Sequence, residues 1–411
     1  ELVAPAGAQH DPPGREGLAS FTASLVDEGT RRRSSLELAA WVERFGGYLA
    51  SAADWDSGFV AVAALAQHLD VGLDLIAEIA LTPTFPEKEV ERIRQQRLAE
   101  LLRRGFDPSA TADDRLIEAI YGGAAYAAPL LGRETSLTSL TRDEVLAFYE
   151  RHYRLAGATV VAAGDLDPEE VIGRIEEILA PRSADLPPAA PEIRPVPLEG
   201  IAVHVVDRPG AVQTELRLGH AGVPRKHPDF LALNVLNTIL GGKFTSRINL
   251  NLRERHGYTY GASSHFSGRL GPGPFVVDAA VATESVGAAA QEVLGELRRI
   301  REDLVEVPEL EETVSYMAGV YPYTVQTIGD VAKRLELLSV FSLPDDHYDT
   351  YLDRLAAVTR EKLLEVARRH LHPDRIAIVA VGPAETLVPQ FEGVGTVEIH
   401  RREAVSLHQI D

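Results

Sequence analysis

The sequence contains no cysteine, one methionine and two tryptophans among its 411 residues. The missing thiols exclude disulfide staples, thiolate nucleophiles and cysteine-bound zinc together, yet they suit reducing and oxidising compartments equally. Long apolar runs are missing too. The longest, such as FVAVAALA at 59–66, are strand-length, far short of the ~20 residues of a membrane-spanning helix. Basic residues are outnumbered: 41 Lys+Arg face 61 Asp+Glu, a formal charge of −20. Nucleic acid, which is gripped through basic patches, is therefore not the expected partner. An acidic surface of this kind is well solvated and suits cationic peptides. Neither an opening Met nor a signal peptide is visible, and ELVAPA at 1–6 reads as the tail of a strand. A segment upstream of residue 1 is expected, and the compartment stays open between bacterial cytoplasm and periplasm.

What is present is a globular composition, 45% hydrophobic and 25% charged, at a length that exceeds a single core. Internal repetition organises it. TRDEVLAFYERHYRLAGATVVAAGDL (141–166) and TREKLLEVARRHLHPDRIAIVAVGPA (359–384) align without a gap. Thr141 falls on Thr359, His152 on His370 and Gly164 on Gly382, each 218 positions apart. Both predict a Thr-capped amphipathic helix followed by a strand. A second pair, 69–101 and 286–321, shares the plan of helix, break and long charged helix, with Pro86 and Pro308 near the second helix start, where Pro is tolerated. Alternating strands precede each, SGFVAVAAL (57–65) and GPFVVDAAVAT (273–283). The expectation is an α+β fold of two homologous domains, 1–179 and 201–411. They are joined by the Pro-rich linker APRSADLPPAAPEIRPVPLEG (180–200), whose prolines forbid regular helix.

GLASFTASLVDEGT (17–30) raises the functional question. Leu18, Phe21, Leu25 and Val26 repeat at helical spacing, while Ser20, Ala23 and Ser24 share the opposite stripe at i, i+3 and i+4. The frame GLA-F------GT resembles the helix GLAHFLEHMLFKGT of the pitrilysin/insulin-degrading-enzyme superfamily, which includes the mitochondrial processing peptidase. The resemblance covers nearly all of the chain. It implies that the inverted zinc motif H-x-x-E-H has its first ligand position at Ser20, its general base at Ala23 and its second ligand position at Ser24. VERIRQQRLAE (90–100) resembles the family helix VERERDVILRE and puts the distal ligand position at Glu100, 76 residues after Ser24.

The motif is degenerate. Catalytic zinc needs three protein ligands and an open position. Ser hydroxyls are poor donors to the ion, and Ala23 cannot take a proton from metal-bound water. A serine nucleophile is no better supported: no His lies near Ser20 or Ser24 in sequence, and the strand–turn–helix elbow is missing. No cofactor is expected on this chain; the resemblance implies zinc in a partner subunit.

LNTILGGKFTSRINLNLRERHGYTYGASSHFSG (236–268) resembles the segment in which family members carry an Arg and, seven residues later, a Tyr that contact substrate. Here these are Arg253 and Tyr260. A guanidinium and a phenol are donors that can be aimed at the charge developing on a peptide carbonyl. Tyr258 competes from the same side of the strand; the seven-residue spacing selects Tyr260. His256 and His265 show no metal-ligand spacing, Gly241-Gly242 reads as a helix stop rather than a phosphate loop, and RRR at 31–33 reads as a solvated loop.

The resemblance implies a clam-like half of a peptidase chamber, inactive alone. Paired with a homologous H-x-x-E-H subunit it would supply Arg253 and Tyr260 for hydrolysis of peptide substrates. The alternative under the same resemblance is an inert scaffold or a peptide-binding homodimer.

Overall fold

The computed structural model describes residues 1–179 and 185–401. They form two units, and neither is contiguous. The first comprises Glu1–Arg103, Ala128–Ile193 and Val320–Tyr348; the second comprises Arg104–Ala127, Arg194–Gly319 and Asp349–Asp411. The division into 1–179 and 201–411 read from sequence is contiguous, so the two partitions differ by the segments 104–127 and 320–348. Residues 180–184, the start of the expected linker, lie outside the described residues. From 185 to 198 the backbone forms neither helix nor strand, as its prolines require.

In the first unit, β1 (Leu2–Ala4), β2 (Tyr48–Ala53), β3 (Gly58–Ala63) and β4 (Thr159–Val160) form an antiparallel sheet in the order β2-β3-β1-β4. In the second, β5 (Ala202–Asp207), β6 (Gln213–Ala221), β7 (Thr259–Phe266), β8 (Pro274–Ala282), β9 (Ala377–Gly382) and β10 (Thr396–Arg401) run β10-β5-β9-β6-β8-β7. The stretch β7-β8-β6-β9 repeats the first sheet's order strand for strand, and β5 and β10 extend it by parallel pairing. The duplication seen in the sequence is thus a duplication of topology. Its helix signals also agree: Thr141 accepts from Glu144 N within a capping box, and Thr359 accepts from Lys362 N, each opening the helix before the last strand of the repeat.

Five helices of the first half carry the rest of the description: α1 (Leu18–Ala23), α2 (Ser35–Arg44), α3 (Leu69–Leu81), α4 (Glu87–Gly105) and α5 (Pro108–Tyr121). Phe21 of α1, with Leu25 and Val26 just beyond it, joins Val60 of β3 and Leu75 and Ile79 of α3 in the core of the first unit. Helix α5 belongs to the second unit, where it packs on β6 and β9. Its buried stripe of Ala112, Leu116 and Ile120 needs a sheet, and an ion pair fixes which one. Arg217 of β6, almost fully buried, donates to Asp113 at 2.6 Å and to Ser109 Oγ at 2.6 Å. Conversely, the helix Ile328–Val340 lies in the first unit, where Ser339 Oγ is 2.6 Å from Thr159 Oγ1 of β4. No helix among the described residues is long and apolar enough to cross a membrane.

Candidate functional site

Helix α1 opens at Gly17, whose left-handed φ of 91° is a conformation that favours glycine. Asp11 covers its first turn, accepting from Gly17 N and Ala19 N at 2.7 Å each. Burial pushes the Asp11 carboxyl up to about 7, although these backbone bonds pull the other way. Ser20 and Ala23 are buried and Ser24, the C-cap, is partly so. The stripe opposite the apolar residues is therefore covered as well.

Arg97 covers it. Helix α4 buries Val90, Ile93 and Arg97 along one stripe, so a guanidinium stands where the pattern calls for an apolar group. Its Nη1 donates to Ser20 Oγ at 3.0 Å; its Nη2 donates to Ser20 O at 2.7 Å and to Ser24 Oγ at 2.6 Å. Ser20 Oγ in turn contacts the carbonyls of Gly17 and Leu130. Burial holds the guanidinium below its ordinary pKa, with Glu100 and Asp11 opposing. Glu100 itself, one turn along α4, is exposed.

These residues do not fit zinc. The two hydroxyls where the resemblance puts the ligands are committed to a guanidinium, the side chain at the base position is a methyl, and Glu100 alone is a single exposed carboxylate. A dication brought to about 4 Å of Arg97 would meet roughly 8 kcal/mol of repulsion at an effective dielectric of 20. The sequence offered one signal for Arg97: it lies at i+7 from Val90 and i+4 from Ile93, on the apolar stripe.

In the second unit, Arg253 and Tyr260 line one depression of about 440 Å³, together with Lys243, Phe244, Asn249 and Tyr316. Arg253 lies in a π-helical turn, Leu250–Arg255, and a second π turn, Thr238–Gly242, closes the other side. Such turns are rare and recur at functional sites. The Arg253 guanidinium sits 4.6 Å over the Phe244 ring, and Tyr260 is 88% exposed. A bulge between Thr259 and Ala262 in the edge strand β7 interrupts the strict alternation. Tyr258 precedes β7, packs partly buried against the core and stacks on His256 at 5.0 Å, while Tyr260, at the bulge, is exposed.

The wall is built from polar contacts. Asn237 Nδ2 donates to Ser264 O at 2.8 Å, Ser264 Oγ to Asn237 Oδ1 at 2.7 Å, and Ala262 N to Asn249 Oδ1 at 3.0 Å. Gly241 does more than stop a helix. A Cβ there would lie 2.2 Å from Ser264 Oγ, so only glycine lets the turn approach β7.

Other polar groups resolve more simply. The triplet at 31–33 is not a plain solvated loop: Arg33 pairs with the buried Glu78, which also accepts from Thr30 Oγ1 at 2.6 Å. Two groups among the described residues have metal-like proximity, His204–Glu398–His400 and His227–Asp229–His370. Each already holds a cation. Arg115 Nη2 is 2.7 Å from His400 Nε2, and Lys362 Nζ is 2.8 Å from Asp229. Both groups are ordinary ion-pair hubs. Neither includes His256 or His265.

Fold and site together define a duplicated α+β chain in which a buried arginine of α4 holds the two hydroxyls of the α1 segment. Residues 1–134 match the family model for insulinase (peptidase family M16), and 139–317 match the model for the peptidase M16 inactive domain. The chain belongs to peptidase family M16. It is 26% identical over 383 residues to an uncharacterized zinc protease of Streptomyces coelicolor, covering 92% of this chain and 83% of that one. To the uncharacterized zinc protease YmxG of Bacillus subtilis it is 23% identical over 381 residues, covering 92% and 91%. Among solved structures it is similar to a peptidase M16 inactive domain from Pseudomonas fluorescens, with TM-score 0.85, 25% identity and coverage of 93% and 92%. A protease from Helicobacter pylori shares the fold at TM-score 0.84 and 20% identity, covering 93% of each chain.

Proposed function

We propose that this chain is the zinc-less subunit of a heterodimeric M16 peptidase. Its homologous partner carries H-x-x-E-H and the zinc, and Arg253 and Tyr260 hold the peptide substrate at the partner's metal. Arg97 is the observation that carries the reading. A buried guanidinium hydrogen-bonded to both former ligand positions is a built replacement, which supports a chain relieved of metal chemistry while keeping its packing.

The second unit supports the other half of the division. An exposed phenol and a guanidinium lining one depression offer donors for a peptide carbonyl. Developing charge on the scissile oxygen is where such donors act, each worth roughly 3–4 kcal/mol in a dry site.

The test is reconstitution. The isolated chain should hydrolyse no peptide, and mixing it with an H-x-x-E-H homologue from the same host should produce zinc-dependent hydrolysis. Arg253→Ala and Tyr260→Phe should each lower kcat/KM of the mixture by about a hundredfold or more, with assembly unchanged by size and mass. Full turnover in both variants would remove the assigned roles. A homodimer that never forms an active pair would instead favour the inert scaffold or peptide binder.

A further inference from the structure

The first unit holds a second cavity, about 600 Å³ in volume, whose lining includes Gln9, His10, Arg15, Phe148, Arg151 and His152. That volume falls within the ~300–1,000 Å³ typical of small-molecule sites. One wall is a ladder of flat rings: Phe148 stacks on His152 at 4.4 Å, and His152 lies 4.6 Å from His10. Leu18, Pro188 and Pro191 add apolar surface.

The polar groups of this cavity are unfinished. His152 and Gln9 are almost fully buried, yet His152 Nδ1, Gln9 Oε1 and His10 Nε2 have no hydrogen-bond partner among the described residues. Buried polar atoms are normally paired, and each orphan costs about 1–3 kcal/mol. The repeat sharpens the contrast. His370, at the position equivalent to His152, bonds Asp229 at 2.8 Å. His152 Nδ1 bonds no such carboxylate among the described residues.

The charges point to an anion. Arg15 is tied to Glu144 at 2.5 Å and to Ser139 Oγ at 3.0 Å. Arg151 forms no hydrogen bond or ion pair among the described residues. The cavity therefore keeps one uncompensated cation in a chain of net charge −20. Burial first, and Arg151 further, hold both imidazoles below their ordinary pKa and so neutral near pH 7. Neutral rings stack on apolar groups and still offer hydrogen bonds.

We propose that this cavity binds a small carboxylate with an apolar or aromatic body. The carboxylate pairs with Arg151, the body lies on the Phe148–His152–His10 ladder, and the His152 and Gln9 side chains supply the remaining polar contacts. Two sources share this chemistry, a free aromatic acid and the C-terminal residue of a peptide. The inference uses neither Arg253, Tyr260 nor a partner subunit, so its failure would leave the proposed function standing.

Calorimetric titration of the full chain near neutral pH tests it with four probes: N-acetylphenylalanine, its amide, the peptide Ala-Ala-Ala-Phe, and that peptide amidated. The acids should bind at least about tenfold more tightly than the amides. Arg151→Glu should abolish acid binding, and Arg151→Lys should retain part of it. Because Arg151 is exposed, these variants should fold, which circular dichroism checks. Tighter binding of the tetrapeptide acid than of N-acetylphenylalanine would identify a peptide terminus as the occupant, and equal binding a free acid. Equal affinity for acids and amides, undiminished binding in Arg151→Glu, or no binding of either acid at millimolar concentration would overturn the proposal.

Discussion

Arg97 Nη2 lies 2.6 Å from Ser24 Oγ, and the same guanidinium reaches Ser20. A cation carried by the chain sits where the family resemblance would put two zinc-binding imidazoles. Restoring the motif alone should therefore fail. The triple variant Ser20→His, Ala23→Glu, Ser24→His should retain no stoichiometric zinc after dialysis, whereas adding Arg97→Leu should bring about one ion per chain, with Glu100 as the third ligand. Metal analysis decides it. Full zinc content in the triple variant would show that Arg97 is no obstacle.

Arg253 and Tyr260 should be dispensable for stability. Tyr260 is 88% exposed, and Arg253 stacks on Phe244 at the surface. Exposed side chains usually contribute within about 0.5 kcal/mol, and an exposed cation–π contact about 0.5–1 kcal/mol. Urea midpoints of Arg253→Ala and Tyr260→Phe should thus stay near wild type. A large shift in either would mark it as a structural residue.

Gly241→Ala should behave in the opposite way. Its added Cβ would meet Ser264 Oγ at 2.2 Å and Ser264 N at 2.7 Å. Overpacking of this kind costs about 1–3 kcal/mol and would push the Gly-Gly turn away from β7. Lower denaturant midpoint and weaker peptide binding are expected together. Unchanged midpoint would mean the turn shifts freely.

The second unit should weaken in acid. Burial pushes the His220 imidazole down to about 3. It sits between two backbone groups, Ala221 O at 2.9 Å from Nδ1 and the His372 N–H at 3.2 Å from Nε2. The unfolded chain takes up this proton near pH 6.5, so between 6.5 and 3 the unfolded state binds more protons. The stability that neutral His220 contributes is complete above about 6.5 and is lost as pH falls toward 3. The guanidinium midpoint of the wild type should be lower at pH 4.5 than at pH 7.5, and the difference should be smaller in His220→Gln. Identical pH dependence in both would assign the acid sensitivity elsewhere.

Much of this was legible from residue pattern. Thr141 and Thr359 announced equivalent helices, and Leu18, Phe21, Leu25 and Val26, spaced as on one helical face, are all buried although α1 ends at Ala23. The destination of α5 was not legible. An amphipathic stripe specifies that Leu116 and Ile120 must be covered, but not by which sheet, and the deciding partner, Arg217, is 104 positions from Asp113. Arg97 was hidden by its surroundings, a helix so rich in charge that one more arginine looks solvated until α4 packs on α1. Strand parity puts Tyr258 and Tyr260 on one side, but Tyr258 precedes β7 and packs inward, while Tyr260 enters the strand at a bulge invisible in sequence and stays exposed.

The traded segments 104–127 and 320–348 mean that a protease nick in the proline-rich stretch would yield two pieces, each holding part of the other's architecture. Neither piece could complete its own sheet-and-helix sandwich, so the halves of this chain are expected to be recovered in working order only when they are produced side by side.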